Sequence, residues 1–474
     1  MTVGKALMVA VLLAAAGCSD PPLRTMEHRP PAASSGGEAT THDPAASDVP
    51  QAEPFQMPAE PTLADYLAQA ASSNPSLLAA FNRWQAAGEM RPQVTALSDP
   101  RLSYRYFMTD IERTARPGAN SMELTQEFPW FGKLHVRGLA ADAAAEAEHQ
   151  QYEARKLALF YEVKDAYYEY YYLGRAVAVI EQNVRLLEDQ ESVVRQQYSA
   201  GSASFQSLSR LQIEVARLHE NLASMQDRRG PLAAKLLAAV NLPGGRILPW
   251  PAEVEPAAAS FEPGQLLALA HESNPQLKAM QAEIDKADRD VELARKEYFP
   301  DVMFGMEWMT ERPGNAGGMP PGVPDSESDM LIAMVSINVP IWWDKLSAGV
   351  RQARYQRLAS AHSRSEFANT LAADLEEAAY RHRDAQRKLD LYRILLPKAN
   401  ESLKVSETSF RGGSTGYGDL TEAVRTLLDI QLNYEQALAD RARSLARLEM
   451  LVGRQLPRSA DADAGQQPST EERD

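Results

Sequence analysis

Residues 163–194 read VKDAYYEYYYLGRAVAVIEQNVRLLEDQESVV, and the apolar repeat in this stretch indicates the architecture of the chain. It is the second half of a run from Lys133 to Tyr198 that contains no proline and only two glycines, Gly138 and Gly174. The other residues are mostly of types that tolerate a helix interior. The run therefore predicts one helix on the order of 100 Å long, far longer than a compact domain needs.

Apolar residues recur along this stretch in two interleaved sets, each with a spacing of seven residues, which is typical of coiled-coil neighbours. The run ends at a turn from Tyr198 to Ser204, where Gly201 can adopt a left-handed cap and the serines can cap a second helix. That helix is predicted over 205–240, with a kink at Gly230-Pro231. By itself the segment is also compatible with an isolated coiled-coil rod. The seam residues are Val163, Ala166, Tyr170, Leu173, Val177, Ile180, Val184, Leu187 and Val194.

Length, charge and composition exclude several classes of protein. A chain of 474 residues predicts several domains or an elongated architecture rather than one unbroken core. The formal net charge of −15 leaves no basic stripe for nucleic acid. The single cysteine excludes a disulfide framework, and the histidines show no zinc-site spacing. The sequence also shows no Ser-His-Asp set or glycine-rich phosphate loop, so we expect no catalytic residue, no cofactor and no bound metal.

The amino terminus is typical of an exported, lipid-anchored protein. Lys5 precedes a short apolar run that ends at Ala15-Ala16-Gly17-Cys18 and resembles a bacterial lipobox, although leucine is usual at the position of Ala15. We therefore expect a signal peptide over 1–17 and acylation of Cys18, with plain signal cleavage as the alternative. Residues 18–60 are rich in Pro, Ala, Ser and Gly and predict a disordered tether.

The body of the chain is a tandem duplication. Asn74-Pro75 recurs as Asn274-Pro275 at an offset of 200, and Gly201 recurs as Gly413 at an offset of 212. So many ordered matches predict two copies of one structural unit. The copies span 61–242 and 263–453, with a linker over 243–262 and a disordered tail over 454–474. Each opens with a helix, predicted from Leu63 to about Leu97 and from Pro263 to about Tyr298.

After each opening helix the apolar period changes from 3.6 to 2. In 101–108, for example, Leu102, Tyr104 and Tyr106 alternate with Ser103 and Arg105. Strands are predicted over about 101–109, 120–128, 301–309 and 328–339. Strands that are apolar outside and polar inside indicate a transmembrane β-barrel, although a soluble half-buried hairpin has the same alternation. Long helices over 132–197 and 345–410 follow the strand pairs, and a last helix is predicted over 417–452.

Aromatic residues favour the membrane interpretation. Trp308 lies at one end of the predicted strands, and Trp130, Trp342 and Trp343 lie at the other, as expected of two interfacial belts. Four strands cannot close a barrel, so the chain must oligomerise.

This arrangement resembles the TolC-like outer membrane factors. The resemblance covers about residues 60–455, and it includes the Q-E-F-P-W-F-G-K junction from Gln126 to Lys133 and the Y-x-x-G and F-x-x-G hairpin tips. It implies a mainly α fold, in which a homotrimer forms a 12-stranded outer membrane β-barrel and a long α-barrel in the periplasm. The implied partners are outer membrane lipid, a periplasmic adaptor (membrane fusion protein) and an inner-membrane pump of the RND type. The implied function is the exit duct of a tripartite efflux system.

The resemblance also implies a gate and a docking edge. In the family an acidic pair beyond the second glycine tip lines the periplasmic constriction; the matching residues here are Asp419 and Glu422, one helical turn apart. An ordinary helix start also favours acidic residues. The family's latch arginine is replaced by Thr415. Pro397 is expected to kink the second long helix without ending it. The expected adaptor-docking tips are Tyr198, Gly201, Phe410, Gly412 and Gly413. Ordinary turn chemistry is the alternative explanation for these residues.

Cargo is the least determined property. Four methionines on the inward parity of the strands suit soft metals such as copper(I), and the junction and lipid anchor resemble heavy-metal efflux components. Methionine also simply fills irregular space, and multidrug efflux is the main alternative. A periplasmic coiled-coil adaptor or scaffold that never enters lipid is the alternative from another class. The four methionines are Met303, Met309, Met330 and Met334.

Overall fold

The computed structural model describes residues 58, 61–108, 120–245, 248–251, 261, 263–310, 329–412 and 414–457. The predicted signal peptide, most of the tether, Cys18, Gly413 and most of the tail lie outside these residues. Among the described residues, no helix combines the length and the apolar character needed to cross a membrane.

The first repeat is built around a helix of 67 residues that follows a strand pair. Gly132, which precedes this helix, has a positive φ of 81° and turns the chain from strand into helix. The elements in order are α1 (Leu63–Ser73), α2 (Pro75–Gly88), α3 (Met90–Thr95), β1 (Arg101–Tyr106), β2 (Asn120–Phe128), α4 (Lys133–Ser199), α5 (Phe205–Asp227) and α6 (Arg229–Ala239).

The second repeat has the same order of elements with fewer breaks. Its long helix has 69 residues and continues through Pro397, as expected of a proline that does not end the helix. The elements are α7 (Pro263–Ser273), α8 (Pro275–Lys296), β3 (Val302–Thr310), β4 (Met330–Ile337), α9 (Trp343–Arg411) and α10 (Tyr417–Val452).

The prediction of one unbroken opening helix in each repeat is wrong. Both helices break at the Asn-Pro pair, because the asparagine is extended and its side chain caps the helix that starts at the proline. Asn74 Oδ1 accepts from the amide of Ser76 at 3.0 Å, and Asn274 Oδ1 accepts from the amide of Leu277 at 3.0 Å. The first opening segment breaks again at Glu89, between α2 and α3.

Smaller differences occur at other element ends. The helix predicted over 205–240 is divided at Arg228, two residues before Gly230. Strand β1 ends at Tyr106, where its partner β2 begins at Asn120, rather than near residue 109. Strand β4 ends at Ile337 rather than 339, shortly before Pro340, which cannot donate a ladder hydrogen bond.

Apolar burial follows the predicted seam. All nine seam residues of α4 are buried, and seven of them belong to two separate clusters. One cluster packs α1, α2, α4 and α6 inside the first repeat, and a matching cluster packs α7, α8, α9 and α10 inside the second. A third cluster joins the repeats near the helix tips, where α4 and α5 meet α9 and α10. Packing of this apolar face, rather than helix propensity, holds the long helices.

The four strands form one antiparallel sheet in the order β1-β2-β3-β4. Strand β2 of the first repeat pairs with β3 of the second from Asn120 opposite Thr310 to Phe128 opposite Val302. The strand pairs of the two repeats therefore lie edge to edge in one sheet. In the described residues, β1 and β4 each pair on one side only.

Candidate functional site

The acidic pair lies at the start of α10. Asp419 is in the first turn of this helix and Glu422 is one turn further, and both side chains are exposed. Leu420 and Ala423, on the other side of the same turns, are buried in the cluster that joins the repeats. Core packing therefore orients the two carboxylates away from the protein interior.

An ion pair just beyond the acidic pair links the two repeats. The Arg425 guanidinium, one turn after Glu422, donates from Nε to Glu214 Oε1 at 3.0 Å, and its Nη2 donates to the other carboxylate oxygen. Hydrogen bonding to Arg425 holds the pKa of Glu214 below its ordinary value, although desolvation acts in the opposite direction. The same bond raises the pKa of Arg425. Two parallel bonds thus join α10 to α5.

Sequence reasoning missed this ion pair. The partners are 211 residues apart, and the repeat offset of 212 places Arg425 opposite Ile213 rather than opposite Glu214. The family's latch position, Thr415, has a buried hydroxyl for which no hydrogen-bond partner is found among the described residues.

The two helix tips differ in exposure. At the first tip, Gly201 has a φ of 74°, and Ser204 Oγ accepts from the Ser207 amide to cap α5, as the sequence predicted. Tyr198 is exposed, and its ring lies 6.1 Å from that of Phe205, which is 67% exposed. Phe205 was not predicted as a tip residue. Its position in the sequence, an aromatic residue directly after the capping serine, could have indicated exposure at the helix tip.

The second tip has less exposed aromatic surface. The rings of Phe410 and Tyr417 lie 6.4 Å apart, and Tyr417 is buried. Gly412 has an ordinary right-handed conformation at the end of α9. The remaining predicted tip residue, Gly413, lies outside the described residues.

Opposite faces of the sheet have opposite chemistry. The register aligns Tyr104, Met122, Trp308 and Leu331 in one row, so that the apolar parity of each strand falls on the same face. Most of that face is exposed; Leu331, for example, is 65% exposed. On the other face, Glu123 stands directly opposite Glu307. Like charges at such a position repel, and the guanidinium of Arg105 compensates by pairing with both carboxylates.

The junction between strands and helix contains a buried cation. Lys133 is 1% exposed, and its Nζ lies 2.9 Å from Asp301 Oδ1 and 3.2 Å from the carbonyl oxygen of Phe299. The Trp130 amide donates to the same Asp301 oxygen at 2.7 Å. The Lys133–Asp301 ion pair is thus hydrogen-bonded by groups from both repeats, at the junction between β2 and α4.

The predicted interfacial tryptophans divide into two kinds. Trp342 and Trp343 are 71% and 64% exposed at the start of α9. Trp130 is half-buried, because its ring stacks on Phe299 at 5.5 Å. Trp308, at the other end of the sheet, is also half-buried on the apolar face.

A polar cleft of about 410 Å³ lies between α4, α9 and α10. Its carboxylates are compensated by neighbouring cations, as in the pairs of Asp165 with Arg443 at 2.7 Å and Asp384 with Lys388 at 2.8 Å. This mutual compensation favours a structural role for the cleft. No group of three or more His, Cys, Asp or Glu residues in the described part of the chain could hold a metal ion.

Comparison with known proteins identifies the architecture. The family model described as outer membrane efflux protein matches residues 66–241 and again residues 266–454, one match for each repeat. The chain belongs to the outer membrane efflux protein family. Membership confirms the resemblance to TolC-like outer membrane factors, and this family is one of efflux channels rather than enzymes.

Individual family relatives are distant in sequence. The cobalt-zinc-cadmium resistance protein CzcC of Cupriavidus metallidurans is 22% identical over 83% of this chain and 90% of its own length. Toxin and drug export protein A of Aggregatibacter actinomycetemcomitans is 26% identical, but the match covers 37% of this chain and only 38% of that protein. The crystal structure of the outer membrane protein VceC from Vibrio cholerae has a TM-score of 0.68 at 16% identity, covering 83% of this chain and 97% of VceC.

Proposed function

We propose that three copies of this chain form the outer membrane exit duct of a tripartite efflux system. The observation that carries the proposal is a four-stranded sheet that exposes a continuous apolar face and whose end strands, β1 and β4, each pair on one side only within the part of the chain that the structure describes. An open edge is not tolerated in lipid, and an apolar face of this extent is not favoured in water. Three sheets placed edge to edge would give a closed barrel of 12 strands.

The polarity of the two faces supports an outward apolar surface and an aqueous interior. Leu102, Phe304 and Val335 on the apolar face would contact lipid, and Arg105, Glu123 and Glu307 would line the water-filled lumen. Trp342 and Trp343 would lie at the periplasmic interface, with Trp308 toward the other. The long helices α4 and α9, each about 100 Å long, would cross the periplasm.

The helix tips are the proposed docking edge for a periplasmic adaptor (membrane fusion protein) fed by an RND-type pump. Tyr198 and Phe205 form an exposed aromatic pair beside the Gly201 turn, and exposed aromatic residues are preferred anchors in protein interfaces. Phe410, Gly412 and Gly413 at the second tip are proposed as the other half of this edge.

The gate is proposed at the start of α10. In a trimer, Asp419 and Glu422 would form two rings of carboxylates that attract cations and disfavour anions. The bond from Arg425 to Glu214 would act as the latch, because it ties the helix that carries the gate to α5 of the other hairpin. It would replace the latch that the sequence lacks at Thr415.

Export and anchoring complete the proposal. Residues 1–17 would be removed as a signal peptide, and acylated Cys18 would anchor the chain to the outer membrane through the tether over 18–60. The cargo would be a metal ion or another small molecule, which fits the family relatives named for metal resistance and for toxin and drug export.

Two measurements test the duct. Membrane fractionation and crosslinking of the full-length protein should give an outer membrane trimer, and detergent-extracted protein should conduct ions in a planar bilayer. A soluble monomer without conductance would overturn the proposal and favour the adaptor or scaffold alternative.

A further inference from the structure

Methionine is distributed unequally between the two faces of the second strand pair. On the apolar face of β3 and β4, Met306 is the single methionine among nine residues, and the large apolar side chains are otherwise Val, Phe, Trp, Leu and Ile. On the polar face, four of the eight residues are methionine, and Ile332 is the one other large apolar residue. The four are Met303, Met309, Met330 and Met334.

The strand register brings these four methionines into two pairs. Met309 stands directly opposite Met330, a position at which Cβ atoms are about 5 Å apart. Met334 stands opposite Gly305, next to Met303 on the same face. Gly305 leaves a notch that the Met334 side chain enters, since a Cβ built on Gly305 would lie 3.3 Å from Met334 Cε. Met334 is therefore the diagonal neighbour of Met303 across the strand pair, a position at which residues are roughly 7–8 Å apart and within reach of long side chains.

Gap filling accounts for Met334 at the Gly305 notch but not for the segregation as a whole. The opposite face of the same strands carries Val, Phe, Trp, Leu and Ile with one methionine, although methionine would fill irregular gaps there as well. Met330 is 44% exposed, and Met303 and Met334 are half-buried, so three of the four thioethers are accessible. Glu307 lies between the two pairs on β3, and the charges on this face sum to −1. They are Arg101, Arg105, Glu123, Glu127 and Glu307.

We infer that the polar face of β3 and β4 binds soft monovalent cations, copper(I) or silver(I), through the two methionine pairs as they pass through the duct. Thioether sulfur is a soft ligand that suits these cations and suits hard or borderline divalent ions poorly. Two successive two-sulfur sites hold an ion weakly enough to release it, as conduction requires. The inference rests on the proposed duct and names the class of its cargo.

The test counts silver bound to full-length trimer in detergent, by equilibrium dialysis in chloride-free buffer. Three proteins are compared with the wild type: Met303→Leu/Met334→Leu, Met309→Leu/Met330→Leu and the fourfold variant. The control is Met122→Leu/Met306→Leu, which removes two thioethers from the apolar face of the same sheet. Cys18 is common to all of these proteins, so any silver it binds cancels in the comparison.

We expect each double variant to lose about half of the silver that the sheet binds, and the fourfold variant to lose nearly all of it. The control should bind as much silver as the wild type, and zinc(II) binding should be the same in every protein. Unchanged silver binding in the fourfold variant, or an equal loss in the control, would overturn the inference. Binding needs no conduction. A trimer that conducts without binding silver therefore refutes this site alone, whereas a protein that binds silver and does not conduct refutes the duct alone.

Discussion

Arg425 in α10 holds Glu214 in α5 by two hydrogen bonds, with Nε 3.0 Å from Oε1, across 211 residues of chain. It joins the two hairpins close to the acidic pair, since Arg425 lies one turn beyond Glu422. The side chains are partly exposed, at 46% for Arg425 and 16% for Glu214. An ion pair of this exposure stabilises its bonded state by up to about 1 kcal/mol, which is enough to favour the closed duct and small enough for the pair to break.

Substitution of Glu214 by Gln should favour the open duct. Loss of the charged bond removes about 1 kcal/mol of closed-state stability per protomer, a roughly fivefold shift of each protomer's equilibrium toward the open state. The open probability in planar bilayers should therefore rise. The matched control is Glu220→Gln, which makes the same chemical change on α5 at a carboxylate with no ion-pair partner among the described residues. Equal conductance of wild type and Glu214→Gln would exclude the latch.

The latch should also respond to pH. Because the pKa of Glu214 in the folded chain lies below its unfolded value of 4.5, the bond stabilises the closed state above that value and is lost as pH falls through the lowered pKa. We expect the conductance difference between wild type and Glu214→Gln to persist from about pH 7 to pH 5 and to shrink only as the pH falls further below 4.5. A difference that is already lost above about pH 5 would assign the effect to another group.

Replacement of both Asp419 and Glu422 by alanine should weaken the cation preference of the duct. Six carboxylates would be lost from the trimer, so the cation-to-anion permeability ratio should fall roughly threefold or more, and block by divalent cations should weaken. Asp429→Ala provides the control, since it removes an exposed carboxylate further along α10. Selectivity that matches the wild type would remove both residues from the gate.

Phe205→Ser should impair efflux without impairing the pore. The exposed ring stands beside Tyr198 at the first tip, so its loss would remove an aromatic anchor for the adaptor. We expect a drop in resistance to the exported compound in cells, together with normal trimer level and normal bilayer conductance. Ile213→Ser, at another exposed apolar residue of α5, is the control. Resistance equal to that of the wild type would place the docking edge elsewhere.

Asn274→Ala should destabilise the second repeat. Asn274 caps α8 through Oδ1, and its Nδ2 donates to the carbonyl oxygen of Leu451 at 2.7 Å, so the substitution removes a cap and leaves a buried acceptor unpaired. The free energy of unfolding should fall by about 2 kcal/mol, seen as a lower melting temperature of the trimer. Asn400→Ala removes an exposed asparagine that bonds within its own helix and should have little effect. A melting temperature equal to that of the wild type would contradict this role.

The break at each Asn-Pro pair could have been predicted from the local sequence, but the prediction followed the apolar period instead. The apolar period continues through Asn74 and Asn274, which predicted a single opening helix in each repeat. Asparagine before proline is itself a helix start, since Pro favours the first helical position and Asn favours the cap. The structure also shows a contact that residue spacing cannot predict: Asn74 Nδ2 donates to the carbonyl oxygen of Ala239, at the end of α6, at 2.9 Å.

The sequence by itself determined the long helices, the four strands with their two faces, the duplication and the family, because each depends on a period or motif within one stretch of chain. Only the tertiary structure decided which distant side chains meet, as Arg425 does with Glu214 and Lys133 with Asp301, and it also set the strand register that places Met309 opposite Met330. A periodic pattern specifies which face of an element is buried. It does not specify the register of that element against a partner hundreds of residues away, which depends on packing across the whole chain.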